Sequence, residues 1–147
     1  FKMKNWATSA VTEASVGCKV YVEDDEASII VMKAIVERVM KLPTLHVLPN
    51  SADFVQQVRQ LDVAPDLFLF DIQMDPYDGF DLLSMIREDP ELYRSKVVAL
   101  TASVMSEEVA RLKKSGFDGA IAKPLNIAVF PDLIAKIMRG ESVWYIV

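Results

Sequence analysis

Cysteine and histidine are almost missing from these 147 residues: there is one of each, Cys18 and His46. A single cysteine excludes an internal disulfide framework and any four-cysteine zinc site. A single histidine excludes metal centres built from several imidazoles. No Pro/Gly/Ser-rich linker divides the chain, and no internal repeat is visible. No apolar run approaches the roughly 20 residues that cross a bilayer. The N-terminal stretch lacks the apolar core of a secretory signal. These absences predict a cytoplasmic protein, not a membrane one. A net charge of -5 argues against nucleic-acid binding through a broad basic face.

What is present is the balance of an ordinary folded domain. Hydrophobic residues make up 52% and charged residues 25%, which excludes wholly disordered and collagen-like classes. The length suits one domain. Residues 1–17 read as an N-terminal extension, 18–140 as the domain, and 141–147 as an apolar C-terminal tail. Five short apolar runs punctuate the domain: Cys18–Val22, Thr44–Leu48, Leu67–Phe70, Val97–Leu100 and Ala120–Ala122. They are apolar on successive residues, which suits strands covered on both faces. Between them lie segments of helical spacing. Ala27–Leu42 carries the stripe Ile29, Met32, Ile35, Val36, Val39 and Met40. Ser51–Leu61 follows, with Asn50 or Ser51 as cap. Phe80–Arg87 and Glu107–Ser115 come next, the latter stopped by Gly116. A last helix starts near Pro131 and stops before Gly140. Five strands alternating with five helices predict a doubly wound α/β domain with a parallel sheet.

In such sheets ligands bind beyond the carboxyl ends of the strands, where the strand order reverses. The residues after each run are therefore the informative ones. Glu23-Asp24-Asp25-Glu26 follow the first run, Asp71 the third, Thr101 the fourth and Lys123-Pro124 the fifth. Gathered carboxylates repel one another, and a hard cation such as Mg²⁺, which takes oxygen ligands, relieves this. A lysine ammonium and a threonine hydroxyl can each engage one phosphoryl oxygen. A carboxylate can be the nucleophile, forming an aspartyl-phosphate. The set predicts phosphoryl transfer onto Asp71.

These residues resemble the response-regulator receiver domain of two-component signalling over roughly residues 18–139. The likeness runs through Val20-Tyr21-Val22-Glu23-Asp24, Pro65 to Asp71, Ile72-Gln73-Met74, Asp78-Gly79, Ala99-Leu100-Thr101-Ala102 and Ala122-Lys123-Pro124. The intervals agree too: 47 residues from Asp24 to Asp71, 30 onward to Thr101 and 22 onward to Lys123. The resemblance implies a flavodoxin-like (βα)5 fold of five parallel strands in the order 2-1-3-4-5. It makes Asp71 the phosphoacceptor, Thr101 the switch hydroxyl and Lys123 the phosphoryl-binding amine. It makes Glu23, Asp24, Asp71 and the backbone carbonyl of Gln73 the Mg²⁺ ligands, with Asp25 the lesser candidate in the acidic run. Pro124 implies a cis Lys-Pro bond. The implied partners are a histidine kinase or phosphotransfer protein and a downstream protein target. Such a domain is no enzyme beyond its own phosphorylation and dephosphorylation.

Two departures stand out. Asp75 follows Met74 where the family usually has proline, and Pro76 comes one later. Ala120 stands where the family usually has an aromatic residue that moves with the switch. The aromatic half of the switch is therefore in question, while phosphorylation is expected to survive. His46 and Cys18 read as ordinary strand or core residues.

The apolar tail Ser142–Val147 is expected to fold back onto the domain; a docking or homodimer contact is the alternative. Nothing after residue 140 suggests an output domain, so a stand-alone receiver signalling by protein contact is expected. Three alternatives compete: a receiver-like module that takes no phosphate, a receiver cut from a larger hybrid kinase or regulator, and an aspartyl phosphatase of the haloacid-dehalogenase type. The last would want a second aspartate two residues after the first, where Gln73 stands.

Overall fold

A computed structural model describes residues 17–41 and 45–146. The extension through residue 16, residues 42–44 and Val147, all part of the sequence reading above, lie outside these described residues. The strands are β1 (Cys18–Val22), β2 (Leu45–Leu48), β3 (Pro65–Asp71), β4 (Lys96–Thr101), β5 (Gly119–Ala122) and β6 (Val143–Tyr145). The helices are α1 (Glu26–Ala34), α2 (Phe54–Arg59), α3 (Gly79–Glu88), α4 (Ser106–Ser115) and α5 (Phe130–Met138). All strand pairs are parallel, in the order β2-β1-β3-β4-β5-β6.

The doubly wound parallel sheet is as expected, but it has six strands and not five. The sixth comes from the apolar tail. Gly140, at φ 95°, turns the chain after α5, and Val143–Tyr145 then pair with Gly119–Ile121. A run of apolar residues gains more from a sheet edge and two helix-covered faces than from water.

The continuous apolar runs follow from burial on both faces. In β3, Phe68 and Phe70 point to one side and Leu67 and Leu69 to the other, all at most 2% exposed. One core lies under α2, α3 and α4, built on Val20, Phe54, Phe68, Phe70, Leu82, Ile86 and Leu112. The rings of Phe54, Phe68 and Phe70 sit 5.5–5.7 Å apart between centroids. The other core lies under α1 and α5, built on Tyr21, Met32, Ile35, Leu69, Leu100, Ile121 and Phe130.

Two helices differ from expectation. The first ends at Ala34 and continues as a π-helical turn over Ile35–Val39, closed by the Met40 N–H donating to the Ile35 carbonyl at 2.9 Å. The wider turn rotates the face: Ile35, Val36 and Met40 stay packed, while Val39 of the predicted stripe is 49% exposed. The second begins at Phe54, with Asp53 in the left-handed region at φ 53° and no side-chain cap. The two predicted caps have other uses. Asn50 Oδ1 accepts from Ala52 N, and the buried Ser51 hydroxyl accepts from Tyr77 N at 2.9 Å.

Candidate functional site

The strand order reverses between β1 and β3, and the cleft opens beyond their carboxyl ends. Glu23 leaves β1 fully buried, its N–H donating to the Leu48 carbonyl of β2 at 3.1 Å. Asp24 is exposed at the rim. Asp25 is committed elsewhere: its carboxylate caps α1, accepting from Ser28 N at 3.0 Å and Ser28 Oγ at 2.6 Å. Glu23, Asp24 and Asp71 can each bring one carboxylate oxygen to within 4.8 Å of the others. This all-oxygen set suits a hard divalent cation.

Asp71 is the last residue of β3. Lys123 follows β5, and its ammonium spans the cleft floor, donating to Glu23 Oε1 at 2.8 Å and Asp71 Oδ1 at 3.1 Å. Burial, then the neighbouring Glu23 carboxylate, pushes Asp71 up to about 6 against the pull of Lys123. Burial opposes ionisation of Glu23 as well, but the Lys123 ammonium, with the contacts to Asp71 and Tyr21, outweighs it and holds Glu23 below the ordinary glutamate value. Burial alone would depress the Lys123 ammonium; the two carboxylates reverse this and raise it.

Thr101 closes β4 and is 4% exposed. Its hydroxyl accepts from Ser103 N at 3.0 Å and donates to the Ser103 carbonyl at 3.3 Å. The hydroxyl is thus tied to the loop between β4 and α4. Gln73 lines the same cleft, of about 400 Å³, with Asp71, Thr101, Ser103 and Lys123. Every sequence-predicted site residue therefore meets in one place. The Lys123-Pro124 bond is cis, and so is Asp75-Pro76.

The Asp78–Gly79 pair has a structural reason. Asp78 caps α3 in a reciprocal capping box with Asp81. A Cβ on Gly79 would lie 2.7 Å from Ile72 Cδ1 and 3.0 Å from the Asp71 carbonyl oxygen. Glycine lets α3 start hard against the end of β3 and so fixes the Asp71 backbone. The extra acid, Asp75, faces a neighbouring depression shared with Asp24 and Arg111. Sequence reasoning missed Tyr21, which it took only as strand filling. Tyr21 is 1% exposed and donates its hydroxyl to Glu23 Oε1 at 2.9 Å. Residues two apart share a face of a strand, and that spacing was the available signal.

Beside this cleft lies apolar surface. A depression of about 390 Å³ is lined by Tyr21, Ala27, Val31, Leu100, Pro124 and Leu125, with Ser28 and Lys123 on the shared wall. Val31 joins it to a second groove along α1 with Ile30, Val39 and Ile127. Ile30 and Ile127 are 65% and 52% exposed.

The class defined by this sheet and cleft is the receiver domain. The family model of the response regulator receiver domain matches residues 20–135, and the chain belongs to that family. Among curated proteins it is similar to the response regulator protein VraR of Staphylococcus epidermidis, 37% identical over 83 residues, and to VraR of Staphylococcus aureus, 36% identical over 83 residues. Those matches cover 56% of this chain and 39% of each relative. The chain thus matches about two-fifths of the length of these relatives. Among solved structures it is similar to the signal receiver domain of a signal transduction histidine kinase from Syntrophus aciditrophicus. There the TM-score is 0.73 at 25% identity, covering 84% of this chain and 91% of that one. The signal receiver domain of a DNA binding response regulator protein from Colwellia psychrerythraea 34H shares the fold, with TM-score 0.70 at 21% identity over 84% and 98% of the two chains. The strand β6 lies beyond the residues that the family model matches. Among the described residues, no helix is long and apolar enough to cross a membrane.

Proposed function

We propose that this domain is a phosphorylation-dependent switch of a two-component relay, taking a phosphoryl group onto Asp71 from a phosphohistidine on a kinase or phosphotransfer protein. One observation carries the reading. A single ammonium, Lys123, bridges the carboxylates of Glu23 and Asp71, with Asp24 beside them, in an open cleft at the strand ends.

Asp71 Oδ1 is held by Lys123, which leaves Oδ2 to attack. The new bond joins Oδ2 to phosphorus; the phosphorus–nitrogen bond to the donor imidazole breaks, and its electron pair stays on that nitrogen. With Asp71 titrating at about 6, the carboxylate is mostly ionised at neutral pH and can act as the nucleophile. Glu23, Asp24, Asp71 and the Gln73 carbonyl would hold Mg²⁺. When bound, the ion neutralises charge on the carboxylates and the phosphoryl oxygens. Lys123 turns from Asp71 Oδ1 to one phosphoryl oxygen. The Thr101 hydroxyl gives up its bond to the Ser103 carbonyl to donate to another, and the β4–α4 loop follows because Ser103 N still donates to that hydroxyl. The rearranged surface is then read by a downstream protein in the cytoplasm. The chain performs its own phosphorylation and dephosphorylation and no turnover of other substrates.

The donor must bring its imidazole into line with Asp71, so its body has to cover the cleft rim. The apolar surface around Ile30, Val31 and Ile127 adjoins that rim and supports docking there. Incubation with acetyl phosphate and Mg²⁺ is expected to add one phosphoryl mass to the wild-type chain and none to Asp71→Asn. Equal labelling of the two would overturn the assignment.

A further inference from the structure

Among the described residues the buried hydroxyl of Tyr21 has one acceptor, and it belongs to the candidate metal site. Tyr21 stands on β1 within the core beneath α1 and α5, packed among Met32, Leu100 and Ile121. It also lines the apolar depression beside α1. A buried tyrosine hydroxyl without a partner is costly, and an aliphatic residue would fill this place on β1 without that demand. Here the hydroxyl reaches Glu23 Oε1 at 2.9 Å. The same oxygen accepts from Lys123 Nζ at 2.8 Å. Two donors occupy the two lone-pair directions of Oε1. The other oxygen, Oε2, takes a long contact of 3.4 Å from Asp25 N, and the Glu23 carboxylate also lies beside that of Asp71.

We infer that Tyr21 is a positioning residue for metal binding: its hydroxyl fixes the Glu23 carboxylate so that Oε1 serves the protein and Oε2 is presented to the cation. A glutamate needs such a device more than an aspartate would. It has one more torsion, and its terminal carboxylate rotates in a broad well. Without the tyrosine donor, the carboxylate is free to turn both oxygens toward Lys123. That motion draws the ammonium off Asp71 and spends the ligand oxygen. Tyr21 thereby also keeps Lys123 shared between the two acids.

This inference rests on the proposed Mg²⁺ site, and a double-mutant cycle read by calorimetric titration with MgCl2 alone separates the two. Tyr21→Phe removes one oxygen and keeps the ring; circular dichroism and urea unfolding without Mg²⁺ verify the fold. Wild type is expected to bind one Mg²⁺, and Asp24→Asn to bind it far more weakly. Tyr21→Phe is expected to weaken Mg²⁺ binding about three- to tenfold, the loss of one hydrogen bond to a charged group felt through its orientation. In a Glu23→Asp background the shorter side chain withdraws its carboxylate from the Tyr21 hydroxyl. There the added Tyr21→Phe change is expected to alter affinity less than about twofold, the limit for uncoupled sites. Unchanged Mg²⁺ affinity in Tyr21→Phe alone would overturn the positioning role and leave the metal site standing. Equal losses in both backgrounds would also overturn it, because they would mean that the hydroxyl acts on affinity by a route other than the Glu23 carboxylate. No Mg²⁺ binding by wild type would overturn the metal reading and the inference with it.

Discussion

At the residue scale, the cleft is a set of charges whose stability cost is visible in Asp71. Its carboxyl is raised from 3.8 to about 6, so the folded state holds a proton that the unfolded chain has already released. The ionised form is therefore the destabilising one. Between pH 4 and pH 6 the unfolded chain binds fewer protons at this position, so stability contributed here falls as pH rises and levels off above 6. Asp71→Asn removes that charge and keeps an acceptor for Lys123. Without Mg²⁺ the variant is expected to be about 1–2 kcal/mol more stable than wild type at pH 7, and indistinguishable from it below pH 4. Urea midpoints across that range measure it, and a variant less stable at pH 7 would contradict the assignment. The positions of Asp71, Thr101 and Lys123 were legible because each is the first polar residue after an apolar run, and the fold carries all such ends to one edge. Their hydrogen bonds were not legible. Whether the Thr101 hydroxyl faces Asp71 or Ser103 depends on a side-chain torsion, which no spacing encodes. The resemblance had set Asp25 below Glu23 and Asp24, and the physical reason is its carboxylate capping α1.

At the element scale, the strand β6 is the feature least like the five-strand expectation. Its register sets Trp144 opposite Ala120, and both side chains belong to the core beneath α2, α3 and α4. The Lys113 ammonium of α4 lies 5.6 Å from the Trp144 ring centroid. A small residue at 120 next to a large one at 144 lets the edge strand fill the space laterally. Gly119 matters for the same reason, since a Cβ there would lie 2.5 Å from the Val143 carbonyl oxygen. Trp144→Ala is expected to lower stability by about 1–3 kcal/mol, less than a fully buried tryptophan costs because the ring is partly exposed. Gly119→Val is expected to act on the same strand, so the double variant should lose less than the two singles added. Additive or negligible losses in urea unfolding would mean that β6 is not held as described. Five consecutive apolar residues, Val143–Val147, announced burial through their apolarity but not its form. A three-residue strand carries too little periodicity to distinguish a strand from a loop folded over the sheet edge. The π-helical turn after α1 was equally silent, because it changes register without changing composition.

At the scale of the whole molecule, the two layers of helices divide the work. The layer of α2, α3 and α4 closes one core and carries the loop that holds Thr101. The layer of α1 and α5 leaves an apolar strip uncovered beside the cleft. The parallel sheet and its order were legible because burial on both faces writes itself as unbroken apolar runs. The uncovered strip was not, since Ile30 and Val31 fall outside the predicted stripe of the first helix and meet Val39 and Ile127 only once the π-helical turn and the β5–α5 loop are placed beside them. Scattered exposed apolar residues need no explanation, but these share two joined grooves that end at Lys123. If a protein donor docks on that strip, a charge placed there must slow transfer from protein and leave small-molecule labelling alone. Ile30 and Ile127 are each more than half exposed, so Ile30→Asp and Ile127→Asp are each expected to change stability by less than about 0.5 kcal/mol. Labelling by acetyl phosphate should stay within about twofold of wild type, because neither residue touches the carboxylates or Lys123. Transfer from a phosphohistidine protein that phosphorylates the wild type should fall by about tenfold or more, the effect of a central apolar contact replaced by an unpaired charge. Measured side by side, the two donors separate the roles: equal slowing with both would place the damage in the cleft, and no slowing with either would move the docking surface elsewhere on the molecule.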